Sequence, residues 1–274
     1  MCSATPVVSD QLIPFGHVMR EHFPLDPEFK NLNHGRRLSL TILCTTRPPC
    51  GLDIDSIHFH IAVSLLILTN LVCDLKGSFG TFPLVVRDVQ RKLRDEEEAS
   101  PDLYLRHKRN QLLQTSREAV AKFLKVPTNE VVFVKNATMG VNVVLRNLVY
   151  TPGDAIVYFA DIYGGCEKTI ASLVESTPVQ PRKVSYIHPV THEELVELFV
   201  EEVKKARAEG LRVKVALFDV VASVPGIRFP FEKLVEVCRD EGILSCVDGA
   251  HGIGMVPLNL GKLQPDFFVS NCHK

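Results

Sequence analysis

Four short stretches of this 274-residue chain set reactive side chains directly behind apolar runs. Behind "EVVFV" (130–134) comes "KNATMG", in which Asn136, Ala137 and Thr138 open a helical pattern; free backbone N–H groups and a hydroxyl at a helix start suit a phosphate. Behind "AIVYFA" (155–160) comes "DIYGG", where Tyr163 beside two glycines could face a flat ligand. Behind "ILSCV" (243–247) comes "DGAHGIG", which sets Asp248 three residues before His251 with only small residues between them. Behind "PDFFV" (265–269) comes "SNCHK", holding Ser270, Asn271, His273 and Lys274. A phosphate cradle, an aromatic face, a carboxylate, a histidine and a lysine are together what pyridoxal phosphate needs. The aldehyde takes a lysine amine, the pyridine nitrogen a carboxylate, and the phosphate N–H and O–H donors. Each part also has a plain structural reading: an N-cap at Asn136, a packed tyrosine, an aspartate capping its own loop.

The elements that would position these residues alternate. Helical spacing covers "FPLVVRDVQRKLRDEEEA" (82–99), and Ser100-Pro101 starts a second helix that runs to Pro127. "TPGD" (151–154) is a turn. "KVSYI" (183–187), "VKVALFDVV" (213–221), "ILSCVD" (243–248) and "PDFFVS" (265–270) read as strands. Thr191 and Glu194 form a capping box that opens a helix closed by Gly210. Short strands without in–out alternation are covered on both faces, which predicts an α/β fold: a three-layer sandwich with a mainly parallel central sheet. Ligands on such sheets sit at the carboxyl ends of the strands, where the four stretches lie.

Charge is balanced, with 31 Lys+Arg against 32 Asp+Glu, so no electrostatic footprint for nucleic acid exists. The eight cysteines form no CxxC pair, as expected of reduced thiols in a cytoplasmic protein. The apolar run at 57–73 is shorter than the roughly 20 residues that span a bilayer and is broken by His58, His60 and Asn70, so no membrane partner is expected.

The motifs "NAT…N" (136–142), "DIYGG", "SVPGIRFP" (223–230), "VDGAHGIG" and "NCHK" resemble the class V aminotransferase family of pyridoxal-phosphate enzymes, fold type I. Within it the chain resembles the isopenicillin N epimerase-like branch, which includes fungal cysteine-sulfoxide lyases such as hercynylcysteine sulfoxide lyase. The resemblance implies that Lys274 carries the cofactor and moves protons at the substrate Cα and Cβ. It places Asp248 on the pyridine nitrogen, His251 near the phenolic oxygen and Tyr163 on the ring face. Ala137, Thr138, Asn271 and His273 would surround the phosphate, and Ser223 would be a further contact to a cofactor oxygen. It further implies an amino-acid-type substrate, carbon–sulfur bond cleavage with transamination or epimerisation as the alternative, and a homodimer.

Two departures from the family pattern stand out. The pattern "LNHGSFGT" is split here between "NLNHG" (31–35) and "GSFGTFP" (77–83). Residues 36–76 thus read as an unrelated insertion, with no helix or strand period that fits its flanks, of the kind a retained intron would give. Residues 1–35 then form an N-terminal arm and 77–274 a partial large domain. Family chains continue well past the position of Lys274, so a truncated chain without the small C-terminal domain is the expectation, with a non-catalytic homologue as the alternative.

Overall fold

The computed structural model describes residues 41–45, as backbone, and 84–272. The N-terminal arm, the run at 57–73, the rest of the 36–76 segment, His273 and Lys274 lie outside the described residues. Strands β1 (Thr41–Thr45), β2 (Val131–Val134), β3 (Asp154–Phe159), β4 (Gln180–Val184), β5 (Arg212–Asp219), β6 (Leu244–Gly249) and β7 (Phe267–Asn271) make one sheet. Their order is β2-β1-β7-β6-β5-β3-β4. Between them run α1 (Leu84–Ala99), α2 (Arg109–Leu124), α3 (Ala137–Asn147), α4 (Gly164–Ser176), α5 (His192–Ala208), α6 (Phe231–Asp240) and the short α7 (Leu260–Leu263).

β1 pairs antiparallel with both β2 and β7, whereas the other neighbours are parallel. All strands except β1 therefore point the same way. Right-handed crossovers fix where the helices go. The connections β2-α3-β3 and β3-α4-β4 travel one way along the sheet, and β4-α5-β5 and β5-α6-β6 travel back. α3 and α4 consequently cover one face and α5 and α6 the other. The reversal falls between β3 and β5, whose chains leave toward opposite faces, and the carboxyl ends of the strands around that point are where open α/β sheets form their ligand crevice.

The strands are apolar because both faces are covered; every residue of β3 and of β7 is buried. Under α5, Phe159 packs on Phe199 (centroids 6.0 Å apart) and edge-on to Phe229 (5.2 Å). The capping box at α5 is complete: Glu194 N–H donates to Thr191 Oγ1 (3.1 Å) and Thr191 N–H to Glu194 Oε2 (2.7 Å). Gly210 follows with φ +80°.

Three local details differ from the sequence reading. The strand expected at 183–187 is β4 at Gln180–Val184, and Ile187 is exposed. Pro181 is tolerated in β4 because this strand is the sheet edge, where a missing N–H costs no ladder bond. The second helix contains a π-helical stretch, Tyr104–Lys108, between Pro101–Leu103 and α2. Finally, Thr41–Thr45, inside the segment that showed no fitting period, is a strand, and its pairing alone attaches β2 to the sheet. Five residues rich in β-branched side chains suffice for a strand, but they are too few to set a period of their own.

Candidate active site

Asn136 is extended (φ −162°, ψ 169°) and caps α3, its side chain accepting from Met139 N–H at 2.8 Å. The plain capping role is therefore real. It leaves the N–H groups of Ala137 and Thr138 outside the helical ladder, as the first turn of any helix must. Next to this turn stands the start of α4. Asn142 Nδ2 donates to the Thr138 carbonyl and to Thr169 Oγ1, each at 2.8 Å, and Thr169 Oγ1 donates to the Gly165 carbonyl at 3.0 Å. One amide thus holds two helix N-termini side by side.

Tyr163 precedes α4 and is half-exposed. Gly165 packs closely under the ring: a Cβ there would lie 2.7 Å from Tyr163 Cε1 and 3.3 Å from the Thr138 methyl. The ring, the glycine and the Thr138 turn therefore form one surface.

Asp248 lies at the carboxyl end of β6 and is 4% exposed. Its Oδ1 accepts from Ala250 N–H at 2.9 Å, and its Oδ2 is 3.5 Å from Cys166 Sγ in the first turn of α4. Asp219, also buried, sits beside it in register on β5, and Val220 N–H donates to the Asp248 carbonyl at 2.9 Å. Burial, and then the Asp248 and Asp219 carboxylates, push the Cys166 thiol pKa far up, so it is an O-directed donor rather than a thiolate. β7 braces the turn after Asp248: Ser270 Oγ donates to the Gly249 carbonyl, and Asn271 Nδ2 reaches the Ala250 carbonyl at 3.5 Å. His251 continues that turn, half-buried.

The structure thus brings Ala137, Thr138 and Tyr163 together on one side, and Asp248, His251 and Asn271 on the other. Ser223 is exposed in the loop closed by the Val221–Arg228 bridge and the Ala222 N–H to Ile227 carbonyl bond; among the described residues no hydrogen bond joins it to Asp248 or Tyr163. His273 and Lys274 follow directly on β7, beyond the described residues. Cys166, Asn142 and Gly165 carried no role in the sequence reading. The four-residue spacings Thr138/Asn142 and Gly165/Thr169 hinted at side chains bonding back along a helix, but the Cys166–Asp248 contact joins residues 82 apart and has no local signal.

A separate cleft of about 680 Å³ is lined by His188, His192, Leu195, Pro225 and Arg228. Its polar groups are engaged: His188 Nε2 with Asp161 and His192 Nε2 with the Arg228 carbonyl, both at 2.8 Å, and Arg228 with Glu232. None of the candidate site residues lines it, although Pro225 and Arg228 belong to the "SVPGIRFP" motif.

A buried carboxylate at a strand end touches the first turn of α4, whose start packs against Tyr163 and the Thr138 turn; these are the kinds of group that a phosphorylated nitrogen heterocycle requires. The model of the family "Aminotransferase class-V" matches residues 80–274. The chain belongs to this family. Its members depend on pyridoxal phosphate. An L-cysteine desulfhydrase-like protein of Epichloe uncinata, lolT1, is 34% identical over 267 residues, 97% of this chain and 50% of that protein. Hercynylcysteine sulfoxide lyase of Schizosaccharomyces pombe is 27% identical, over 95% of this chain and 54% of its own length. Among solved structures, the cystine C-S lyase C-DES with its product cysteine persulfide aligns at TM-score 0.60 and 19% identity, over 70% of this chain and 50% of that one. A mutant of C-DES, at TM-score 0.59, 18% identity and the same coverage, has glycine covalently linked to its PLP cofactor. These likenesses show a shared fold, the type I fold expected from the motifs. The chain spans about half the length of the curated relatives it matches.

Among the described residues no helix is long and apolar enough to cross a membrane, and no group of His, Cys, Asp and Glu is arranged to hold a metal ion.

Proposed function

We propose that this protein is a pyridoxal-phosphate-dependent carbon–sulfur lyase acting on cysteine S-conjugates, with a cysteine sulfoxide of the kind processed in ergothioneine biosynthesis as the favoured substrate class. The observation that carries the reading is Asp248, a carboxylate 4% exposed at the carboxyl end of β6, one strand from the reversal between β5 and β3 and in contact with the first turn of α4. The relatives named for cysteine desulfhydrase and sulfoxide lyase activity support the bond that is broken. When bound, the cofactor supplies an electron sink conjugated with the substrate Cα. The chain's own residues do the rest. Asp248 holds a proton on the ring nitrogen. Ala137 and Thr138 would donate to the phosphate from the start of α3; the family resemblance adds Asn271 and His273 there, although Asn271 stands on the Asp248 side with its amide at the Ala250 carbonyl. Tyr163 would cover one ring face and His251 would lie near the ring's oxygen substituent; Ser223, which the resemblance adds there, is exposed in its own loop. Lys274 would be the attachment point and would move protons at Cα and Cβ. Overall, a cysteine sulfoxide and one water give a sulfenic acid, pyruvate and ammonia. The same reading takes 1–35 as an arm, 36–76 as an insertion and 77–274 as part of the large domain, with a homodimer in the cytoplasm; the family match over 80–274 supports the last segment.

The test is product analysis with the purified full-length protein, pyridoxal phosphate and an S-alkylcysteine sulfoxide. Equal amounts of pyruvate and ammonia are expected, with faster release than from free cysteine. A keto acid that keeps its sulfur would make the protein an aminotransferase, and Cα inversion without release would make it an epimerase. Failure to take up the cofactor at all would leave a non-catalytic homologue.

A further inference from the structure

We propose that Cys166 is a positioning residue for Asp248: its thiol donates to Oδ2 while Ala250 N–H donates to Oδ1, and the two bonds fix the plane in which the carboxylate meets a ring nitrogen. The inference rests on the reading of Asp248 as the cofactor's nitrogen partner. Cys166 is 1% exposed, and its Sγ lies 3.5 Å from Asp248 Oδ2, within reach of a sulfur hydrogen bond. Ala250 N–H is 2.9 Å from Oδ1. A carboxylate held on one oxygen can swing about χ2; held on both, it cannot.

The backbone of Cys166 adds a second link. Its N–H donates to the Tyr163 carbonyl at 2.8 Å, closing the turn that carries the ring-face residue. One residue therefore joins the group over the ring to the group at its nitrogen, across 82 positions of sequence.

The choice of sulfur also has a physical reason. A thiol is a weak donor, so the bond orients the carboxylate without neutralising it. A lysine or arginine in its place would saturate that charge. Burial, with the two nearby aspartates, keeps the thiol protonated, so the donor persists across the working pH range. A cysteine acting only as a small apolar filler would work as well as alanine or valine.

The experiment uses the full-length protein with Cys166→Ala, Cys166→Ser and Asp248→Ala. In the cofactor-free protein, the infrared S–H band found by subtracting the Cys166→Ala spectrum should lie at the low frequency of a carboxylate-bound thiol and should rise in Asp248→Ala. Titration with pyridoxal phosphate should then show roughly tenfold weaker binding in Cys166→Ala, the size of one lost hydrogen bond, with the absorbance maximum of the bound cofactor shifted. Cys166→Ser, which keeps a donor, should return to within about twofold of wild type. An S–H band indifferent to Asp248 overturns the bond. Wild-type affinity in Cys166→Ala, or no rescue by a well-folded Cys166→Ser, overturns the positioning role. The cofactor reading is tested separately: it fails if Asp248→Ala, with Cys166 intact, binds pyridoxal phosphate as tightly as wild type.

Discussion

Asp154 and Asp248 are both buried aspartates on strands of the same sheet, one at the amino end of β3 and the other at the carboxyl end of β6. Asp154 is 1% exposed and meets Arg212 Nε at 2.7 Å, Lys214 Nζ at 3.4 Å and Thr151 N–H at 2.8 Å. Its neighbours are cations reaching in from the protein surface, and they tie β3 to β5 and to the turn that enters β3. Asp248 is held by an amide N–H and a thiol, with a second aspartate on the next strand. Burying a charge is costly unless it is paired. At the amino end the pairing is internal and the product is stability. At the carboxyl end Asp248 borders the first turn of α4, at the strand ends where open α/β sheets bind their ligands.

Replacing each aspartate should therefore have opposite consequences, and the larger one is at the crevice. Asp248→Ala should lower kcat/KM on the order of 100-fold, as loss of one preorganised electrostatic group does. Its cofactor-free stability in urea should stay within about 1 kcal/mol of wild type, because a costly buried charge goes with it. A variant that unfolds readily yet still binds cofactor would reverse the assignment of the two ends.

Asp154→Asn should do the reverse. Loss of one partner of a fully buried pair costs about 3–5 kcal/mol, but the Arg212 side chain is 68% exposed and screened. A loss on the order of 2 kcal/mol is therefore expected, with turnover per folded molecule unchanged. Burial pushes the Asp154 carboxyl up, but the Thr151 N–H, Arg212 and Lys214 outweigh it and hold its pKa below the ordinary value. A carboxyl depressed on folding stabilises the fold above its unfolded pKa, about 4, and gives that up as the pH falls through the folded value. Urea titrations of both proteins should therefore differ at pH 7, begin to approach each other near about pH 4 and converge only once the pH has fallen through the lowered folded value; a constant gap would mean that the Asp154 charge is not what matters.

The same contrast explains what the sequence could disclose. Asp248 was legible because strand ends, small residues and a histidine at fixed spacing are all local signals. So were the helix starts at Asn136 and Thr191, whose caps act within three residues. The parallel sheet followed from strands with no alternation. β4 begins three residues before the expected strand, on a segment with Pro181, and the sequence does not say which strand is an edge that can hold a proline. Thr41–Thr45 escaped because a five-residue strand is defined by the two neighbours it joins, β2 and β7, far along the chain. Cys166 escaped for the same reason: its role depends on a partner 82 residues away, and a lone cysteine in a helix reads as packing. His273 and Lys274 were named from motif alone, and the described residues carry the chain only to their threshold at β7.

Gly165 offers the finest division between stability and binding at the crevice. A methyl there would sit 2.7 Å from Tyr163 Cε1, closer than carbon atoms approach. Tyr163 is 50% exposed, so its ring can swing outward, and the helix need not move. Alanine also favours a helix over glycine by up to about 1 kcal/mol. Gly165→Ala should hence leave thermal stability equal or slightly higher while weakening pyridoxal-phosphate binding several-fold, about 1 kcal/mol at most, because the ring no longer lies over the site. Near-ultraviolet circular dichroism should register the displaced tyrosine. Unchanged affinity alongside a displaced ring would remove Tyr163 from the site and leave the Asp248 side of the crevice as the part that recognises the cofactor.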